Sequence, residues 1–389
     1  MTDFLQESPK QRVIFDGDPQ ETFASLLKGA TGRVVLFTGA TGAERCGALA
    51  PFEAAAKSVG CTVDRFSEIE PEPAIPTIMK MREFLRKAPF AKVVAIGGGS
   101  VLDAAKATLL LVESGWELDR HFGLNTYSKA NPTAKLRRII AVPTTAGTGS
   151  ESTPFANIVD REKQVKKLIC EELAVPEMAV VIPKFTASMP PSVTLATGCD
   201  ALSHLIEGFL NTGMDNVQAN GNAWAMEGIR LIVENLPRAM RDGSGRKELA
   251  RAATLGGMVI RFKSTGLPHL CSFSWFGRIQ HGIATVLLLP ACWNYYLGNP
   301  AVAARTMELA PLFPGSTPQE VVASYKAFLK SIGVPRSLKE FPDITPELLD
   351  LTARSAAENK MKLELAPRPV PVAESRVILS KILQEAYEA

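Results

Sequence analysis

The sequence has no run of 18 or more apolar residues, and its first residues, MTDFLQESPKQ, lack the basic start and apolar stretch of a secretory leader. We therefore expect no membrane span and a cytoplasmic protein. Its six cysteines are scattered without a CxxC pair, which fits a reducing compartment and predicts small core residues rather than a disulfide framework. The 43 basic and 40 acidic residues are well mixed, which gives no indication of a nucleic-acid partner.

The 389 residues are enough for two domains, and the pattern of the sequence changes near residue 185. Before that point, β-rich runs alternate with helical patterns and begin at Val34, Cys61, Lys92 and Ile139. This alternation predicts a Rossmann-like α/β domain with a parallel sheet over residues 1–186. Residues 187–389 show only helical periodicity, which predicts an all-α domain and a cleft between the two.

Two loops at the ends of predicted strands suggest a nucleotide site. In "VVAIGGGSVLDAAK", Gly97, Gly98 and Gly99 would let the backbone approach a pyrophosphate, and Ser100 is placed to cap a helix beginning at Val101. The next strand leads into "VPTTAGTGSEST", which is rich in hydroxyl and amide donors. Each loop alone could be a turn without a ligand, but two of them on neighbouring strands favour a nucleotide.

The helical half contains "GCDALSHLIEGF", in which Asp200 and His204 are one helical turn apart on the same face. The chain has only four histidines, and His269 and His281 lie together in "GLPHLCSFSWFGRIQHG". One carboxylate and three imidazoles suit Fe²⁺ or Zn²⁺ better than Ca²⁺ or Mg²⁺. A structural role for each histidine is the alternative. His121 has no partner motif and is expected at the surface.

Taken together, "GGGSVLDAAK", "PTTAGTGSE", "MPPSVTLATGCDALSHLIE" and "QHGIATVLLLP" resemble signatures of the iron-containing (group III) alcohol dehydrogenases, in the expected order. The resemblance covers nearly the whole chain. It implies a dehydroquinate synthase-like architecture, NAD(P)H as cofactor, and Fe²⁺ as the metal, with Zn²⁺ or Mn²⁺ as possibilities.

The resemblance also implies roles for individual residues. The family's metal ligands correspond to Asp200, His204, His269 and His281, which would take part in catalysis through the metal. Cofactor contacts fall on Gly39, Gly97, Gly98, Gly99, Ser100, Asp103, Thr144, Thr145, Thr148 and Lys166. Lys106 is expected to support the cofactor site, and Glu207 to support the metal ligands.

Three departures from the family pattern bear on function. Gly39 stands where many members have an aspartate that would repel a 2′-phosphate, so NADPH is admissible. Phe273 stands where many alcohol-active members have a further histidine, which makes alcohol oxidation the poorer direction. The loop between His269 and His281 is about two residues shorter than is usual in the family.

The "GLPH" segment is similar to that of the branch reducing phosphonoacetaldehyde and sulfoacetaldehyde. Phe155, Lys263, Phe273 and Arg278 are the expected substrate residues, and the two cations could bind a phosphonate or sulfonate. The prediction is therefore reduction of a small, anionic aldehyde. The alternatives are an alcohol or diol dehydrogenase without anion preference, a dehydroquinate synthase-like lyase, and a non-catalytic metal-binding protein. A homodimer or higher homo-oligomer is expected, through the α/β half.

Overall fold

The computed structural model describes residues 3–388, so that residues 1, 2 and 389, at which the predicted domains begin and end, lie outside them. The chain divides into two compact units, residues 1–190 and 191–389. The sequence places the boundary at 186/187.

The first unit contains all the strands of the described residues. The strands are β1 (Arg12–Phe15), β2 (Arg33–Gly39), β3 (Thr62–Ile69), β4 (Lys92–Gly97), β5 (Gly123–Leu124), β6 (Ile140–Pro143), β7 (Phe155–Asp160), β8 (Val165–Cys170) and β9 (Met178–Val181). The helices of this unit are α1 (Pro19–Leu27), α2 (Gly42–Arg45), α3 (Leu49–Ser58), α4 (Ile75–Arg86), α5 (Gly99–Ser114) and α6 (Thr126–Ala130).

Six strands form a parallel sheet in the order β1-β9-β6-β4-β2-β3, and β5, β8 and β7 form a second, smaller sheet. The predicted α/β fold with a parallel sheet is thus confirmed. The sequence did not indicate β1, β9 or the antiparallel β7–β8 pair. The strands β1 and β9 have only four residues each, too few for periodicity to separate them from loops.

Alternating side chains of the central strands fill two cores, one on each face of the parallel sheet. Val35 and Phe37 of β2 pack in a core that also contains residues of α4 and α5. Val34 and Leu36 point to the other face and pack with residues of α1 and α3. Because both faces are covered, the strands read as nearly continuous apolar runs.

The second unit is helical throughout its described residues. Its helices are α7 (Pro191–Leu210), α8 (Gly221–Asp242), α9 (Arg246–Lys263), α10 (Leu267–Ser272), α11 (His281–Tyr296), α12 (Pro300–Met307), α13 (Pro318–Ser331), α14 (Pro346–Ala357), α15 (Lys360–Glu364) and α16 (Ser375–Glu388). Among the described residues of the whole chain, no helix combines the length and apolarity needed to cross a bilayer.

Helix α7 lies at the centre of the second unit and contacts α8, α9 and α11. Every residue from Gly198 to Leu210 is buried. Glycines allow the close approach of the neighbouring helices: a Cβ at Gly208 would lie 2.3 Å from Val259 Cγ1 of α9, and one at Gly282 would lie 1.9 Å from the Ala196 carbonyl oxygen. The polar residues of α7 are therefore held within a tightly packed core.

We expect Gly282→Ala to lower the free energy of unfolding by about 3 kcal/mol, because the new methyl group meets backbone, which cannot move aside cheaply. Urea denaturation followed by tryptophan fluorescence measures this, since Trp224, Trp275 and Trp293 all lie in the second unit. Gly256→Ala is the control, because a Cβ there meets its nearest atoms at 3.6 Å. Equal effects of the two substitutions would contradict the packing described here.

Candidate active site

One face of α7 carries three ionisable side chains at helical spacing. Asp200 and His204 are one turn apart, and Glu207 follows at the next turn on the same side. All three are buried, with Glu207 at 0% exposure. Because ionisable groups are costly to bury alone, each of them must have a compensating partner.

The carboxylate of Asp200 lies among three imidazoles. Its Oδ1 is 3.8 Å from His204 Nε2, 3.6 Å from His269 Nε2 and 3.7 Å from His281 Nε2. One nitrogen or oxygen atom from each of Asp200, His204 and His269 falls within a common 4.8 Å, a spacing suited to a single metal ion. The side chain of His281 is 33% exposed, so the cluster opens to solvent on that side.

The atoms at the centre of this cluster fit a divalent cation. Asp200 Oδ1 and His269 Nε2 are buried and have no hydrogen-bond partner, although a buried charged or polar atom without a partner costs several kcal/mol. Burial raises the pKa of Asp200, but the neighbouring imidazoles lower it more, so its pKa lies well below the usual range and the carboxylate is ionised. One hard oxygen and three borderline nitrogens are typical ligands of Fe²⁺, Zn²⁺ or Mn²⁺.

Glu207 fixes the orientation and tautomer of His269. Its Oε1 lies 2.6 Å from His269 Nδ1 and also accepts from Ser203 Oγ at 2.7 Å, and its Oε2 accepts from the Gly266 N–H at 2.7 Å. An ionised carboxylate can only accept, so Nδ1 carries the proton and Nε2 faces Asp200. Burial lowers the pKa of His269, but Glu207 and Asp200 raise it to about 9 overall. A bound metal would displace the proton from Nε2.

Ser272 contacts the Nδ1 side of His281, as Glu207 contacts that of His269. The sequence does not indicate this role for Ser272. Its hydroxyl donates to the His269 carbonyl oxygen at 2.9 Å, which uses its only proton. The contact of 3.3 Å between Ser272 Oγ and His281 Nδ1 therefore requires His281 to donate, which leaves Nε2 toward Asp200. Phe273 stacks on the His281 ring with centroids 6.2 Å apart, so an apolar ring without an exchangeable proton borders the cluster.

The two loops predicted to bind nucleotide pack against each other in the first unit. The glycine turn follows β4, the threonine-rich loop follows β6, and these strands are paired. A Cβ at Gly98 would lie 3.2 Å from Thr145 Cγ2, and one at Gly99 would lie 2.7 Å from Thr148 Cγ2. A side chain at Gly99 would force Thr148 to move, and one at Gly98 would press tightly on Thr145, so the two glycines allow the loops to approach closely.

Asp103 and Lys106 brace the threonine-rich loop. Asp103 Oδ1 accepts from Ser150 Oγ at 2.5 Å, and Oδ2 accepts from the Asn157 N–H at 2.9 Å. The buried ammonium of Lys106 donates to carbonyl oxygens of this loop, including that of Ser150 at 3.0 Å, and to that of Phe155. Both side chains are thus committed to holding the loop.

Ser100 does not cap α5 as predicted, because the helix begins two residues earlier than Val101, at Gly99, with Gly98 as its N-cap. The Ser100 hydroxyl instead accepts from the Glu72 N–H at 3.0 Å. The carboxylate of Glu72 pairs with Lys166 at 2.7 Å, so Glu72 connects Lys166 to Ser100 of the glycine turn.

Comparison with known proteins identifies the family of the chain. Residues 9–183 match the model of iron-containing alcohol dehydrogenases, and residues 194–386 match the C-terminal model of the same family. The chain belongs to the iron-containing alcohol dehydrogenase family. It is therefore an iron-type, NAD(P)-dependent alcohol dehydrogenase.

The alignments with similar proteins span most of this chain and most of each relative. Alcohol dehydrogenase 4 of Saccharomyces cerevisiae is 32% identical over 85% of this chain and 84% of its own length. A 1-propanol dehydrogenase of Salmonella typhimurium is 29% identical over 82% and 85%. An iron-containing alcohol dehydrogenase of Thermotoga maritima has a TM-score of 0.82 at 27% identity and covers 98% of each chain. A sulfoacetaldehyde reductase of Bifidobacterium kashiwanohense, solved with NAD⁺, shares the fold with a TM-score of 0.78 at 23% identity, covering 96% and 97%.

Two further sequence-based expectations for this alcohol dehydrogenase are wrong. Lys263 is fully buried, and its ammonium binds Asp215 Oδ1 at 2.5 Å and also Asn222 Oδ1, so it is not available to a substrate anion. His121 is buried rather than at the surface, and its Nε2 lies 2.9 Å from Ser114 Oγ. Burial lowers the pKa of His121 to about 4. Both errors arise because tertiary packing, which periodicity does not show, decides burial.

We expect Glu207→Gln to weaken binding of a divalent metal by about 10- to 100-fold, because a neutral amide supports the His269 imidazole less strongly than a carboxylate does. To measure this affinity, the metal is removed from the protein and added back, and the refilled protein is then titrated with a competing chelator. Glu234→Gln is the control, because Glu234 is half-exposed and pairs with Arg230 at the surface of α8. An unchanged dissociation constant in Glu207→Gln would contradict the role assigned to this carboxylate.

Proposed function

We propose that this alcohol dehydrogenase reduces a small aldehyde to the primary alcohol with NAD(P)H, using a divalent ion held by Asp200, His204, His269 and His281. The observation that carries the proposal is the ionised, buried Asp200 carboxylate, whose Oδ1 has no hydrogen bond and faces three imidazole nitrogens at 3.6 to 3.8 Å. Iron is the metal that the family implies, and the same ligands would accept Zn²⁺ or Mn²⁺.

When bound, the metal supplies Lewis-acid stabilisation of negative charge developing on a carbonyl oxygen, and NAD(P)H supplies the hydride. The chain's own residues prepare the ligands. Glu207 holds the Nδ1 proton of His269, and Ser272 accepts that of His281, so both imidazoles present Nε2 without rearrangement. Phe273 excludes water from one side of His281 and offers no proton.

We infer that the nucleotide lies along the glycine turn and the threonine-rich loop. Backbone N–H groups of Gly98, Gly99 and Ser100 are placed for the pyrophosphate at the start of the 16-residue helix α5. Contacts from Thr144, Thr145, Thr148 and Lys166, and from the backbone at Gly39 and Gly97, complete the proposed site. Asp103 and Lys106 would support the nucleotide site by holding the threonine-rich loop in place, and not by contacting the nucleotide themselves.

For the substrate, we propose an anionic aldehyde such as sulfoacetaldehyde or phosphonoacetaldehyde. Because Lys263 is buried, Arg278 is the remaining cation of the predicted pair. Arg278 is exposed to solvent and precedes the proposed ligand His281 by three residues in the sequence. Phe155, half-buried in β7, stays a predicted substrate contact.

The alternative is a short-chain alcohol or diol dehydrogenase without anion preference. The burial of Lys263 favours it, because one cation binds an anionic group less selectively than two. The 1-propanol dehydrogenase among the similar proteins is consistent with it.

A homodimer and a cytoplasmic location stay predictions. The strands β1 and β3 form the two edges of the parallel sheet within the described residues, and an edge strand can pair with a second copy.

We expect Asp200→Asn to abolish stoichiometric metal binding and to lower kcat/KM for any aldehyde substrate by about 10³-fold, since the isosteric amide removes the only negative ligand. Metal content by mass spectrometry and oxidation of NAD(P)H measure the two effects, and circular dichroism checks the fold. Wild-type metal content and turnover in this variant would refute the proposed site.

We expect Arg278→Ala to lower kcat/KM for sulfoacetaldehyde and phosphonoacetaldehyde by about tenfold or more, while the value for propanal stays within about twofold, because only the anionic substrates lose a charge-assisted hydrogen bond. Arg336→Ala, which removes another exposed arginine, is the control. A wild-type enzyme with equal kcat/KM for charged and uncharged aldehydes would favour the alternative function.

A further inference from the structure

The C-terminal end of β2 lies next to the strand that carries the glycine turn. The strands β2 and β4 are paired, so Thr38 and Gly39 end beside Ile96 and Gly97. In dinucleotide-binding sheets, the end of the strand next to the phosphate-binding turn lies near the adenosine ribose, where an acidic residue binds the 2′-hydroxyl of NAD. With the pyrophosphate at the glycine turn, as proposed above, the end of β2 is the part of the sheet that would meet the adenosine ribose and any 2′-phosphate on it.

Packing does not force glycine at position 39. A Cβ there would meet the Ile69 carbonyl oxygen at 3.4 Å and Val101 Cγ2 at 3.7 Å, both ordinary contacts. The φ of Gly39 is not in the left-handed region. Position 39 could thus carry a side chain, and its glycine contributes no carboxylate of its own to this strand end.

A positively charged side chain of the neighbouring edge strand β3 also lies at the end of β2. Arg65 of β3 donates from Nε to Thr38 Oγ1 at 3.0 Å, and from Nη1 to Glu44 Oε1 of α2 at 2.9 Å. Its Nη2 is buried and has no hydrogen-bond partner. The guanidinium is held at the end of β2 with one donor unused.

The ion pair between Arg65 and Glu44 is easily exchanged. The side chain of Glu44 is 54% exposed and that of Arg65 21%, and ion pairs at such exposure contribute little stability. A phosphate dianion offers a guanidinium two parallel charge-assisted hydrogen bonds, which are stronger than a single carboxylate contact.

We propose that Arg65 makes this enzyme prefer NADPH by binding the 2′-phosphate, and that Glu44 competes for the same guanidinium when the 2′-phosphate is absent. This inference rests on the NAD(P)H-linked reduction proposed above. The competing interpretation is that Arg65 is a structural brace between β3, β2 and α2, with no part in nucleotide selection.

The two interpretations differ in the effect of removing Glu44. If Arg65 binds the 2′-phosphate, Arg65→Gln lowers the ratio of kcat/KM for NADPH to that for NADH by about tenfold, and Glu44→Gln raises it severalfold by freeing the guanidinium. If Arg65 is only a brace, either substitution loosens the same contact and leaves the ratio unchanged. Arg45→Gln, which removes a neighbouring exposed positive charge, is the control and should not change the ratio.

Calorimetric titration of the wild-type protein and these variants with adenosine 2′,5′-bisphosphate and with AMP tests binding separately from turnover, because the two ligands differ only in the 2′-phosphate. We expect wild type to bind the bisphosphate at least about tenfold more tightly than AMP, and Arg65→Gln to lose most of that difference. Equal affinities in wild type, an unchanged difference in Arg65→Gln, or a lowered NADPH preference in Glu44→Gln would overturn the inference. Binding of neither ligand, together with no oxidation of either reduced cofactor, would instead refute the nucleotide-linked function itself.

Discussion

The structure of the helical unit depends on one buried carboxylate. Asp200 Oδ1 lies between three imidazole nitrogens without a hydrogen bond, in a core where an unpaired charge is costly. A divalent cation bound by the proposed ligands would compensate this cost and would hold side chains from three helices at one point. The close approach of the helices depends on Gly282, because any side chain there would meet the backbone of α7 and keep His281 of α11 away from Asp200.

The residues around the ligands are arranged to keep them in place rather than to react. Glu207 connects α7 to the N-terminal backbone of α10 and to His269, and Tyr296 OH accepts from the Leu267 N–H at 2.8 Å in the same segment. A similar division holds in the α/β unit, where Asp103 and Lys106 hold the threonine-rich loop against the glycine turn. In both units, buried charges fix the backbone that presents the functional groups.

Local periodicity predicts the α/β order, the helical second half and the placement of Asp200 and His204 on one helix face, because these depend on spacing along the chain. The proposed roles of His269 and His281 follow from the family resemblance and from the scarcity of histidine. Burial of Lys263 could not be predicted, because its partner Asp215 is 48 residues away and belongs to a separate turn. The contact of Ser272 with His281 depends on how α10 and α11 meet, which no local pattern encodes.

The central claim is that a single metal ion binds these four side chains. Anomalous diffraction at the iron edge from crystals of the iron-loaded protein tests it most directly. The account predicts one iron atom at about 2.0 to 2.3 Å from an Asp200 oxygen and from the Nε2 atoms of His204, His269 and His281. Iron bound elsewhere, or an active enzyme whose four side chains contact no metal, would contradict it.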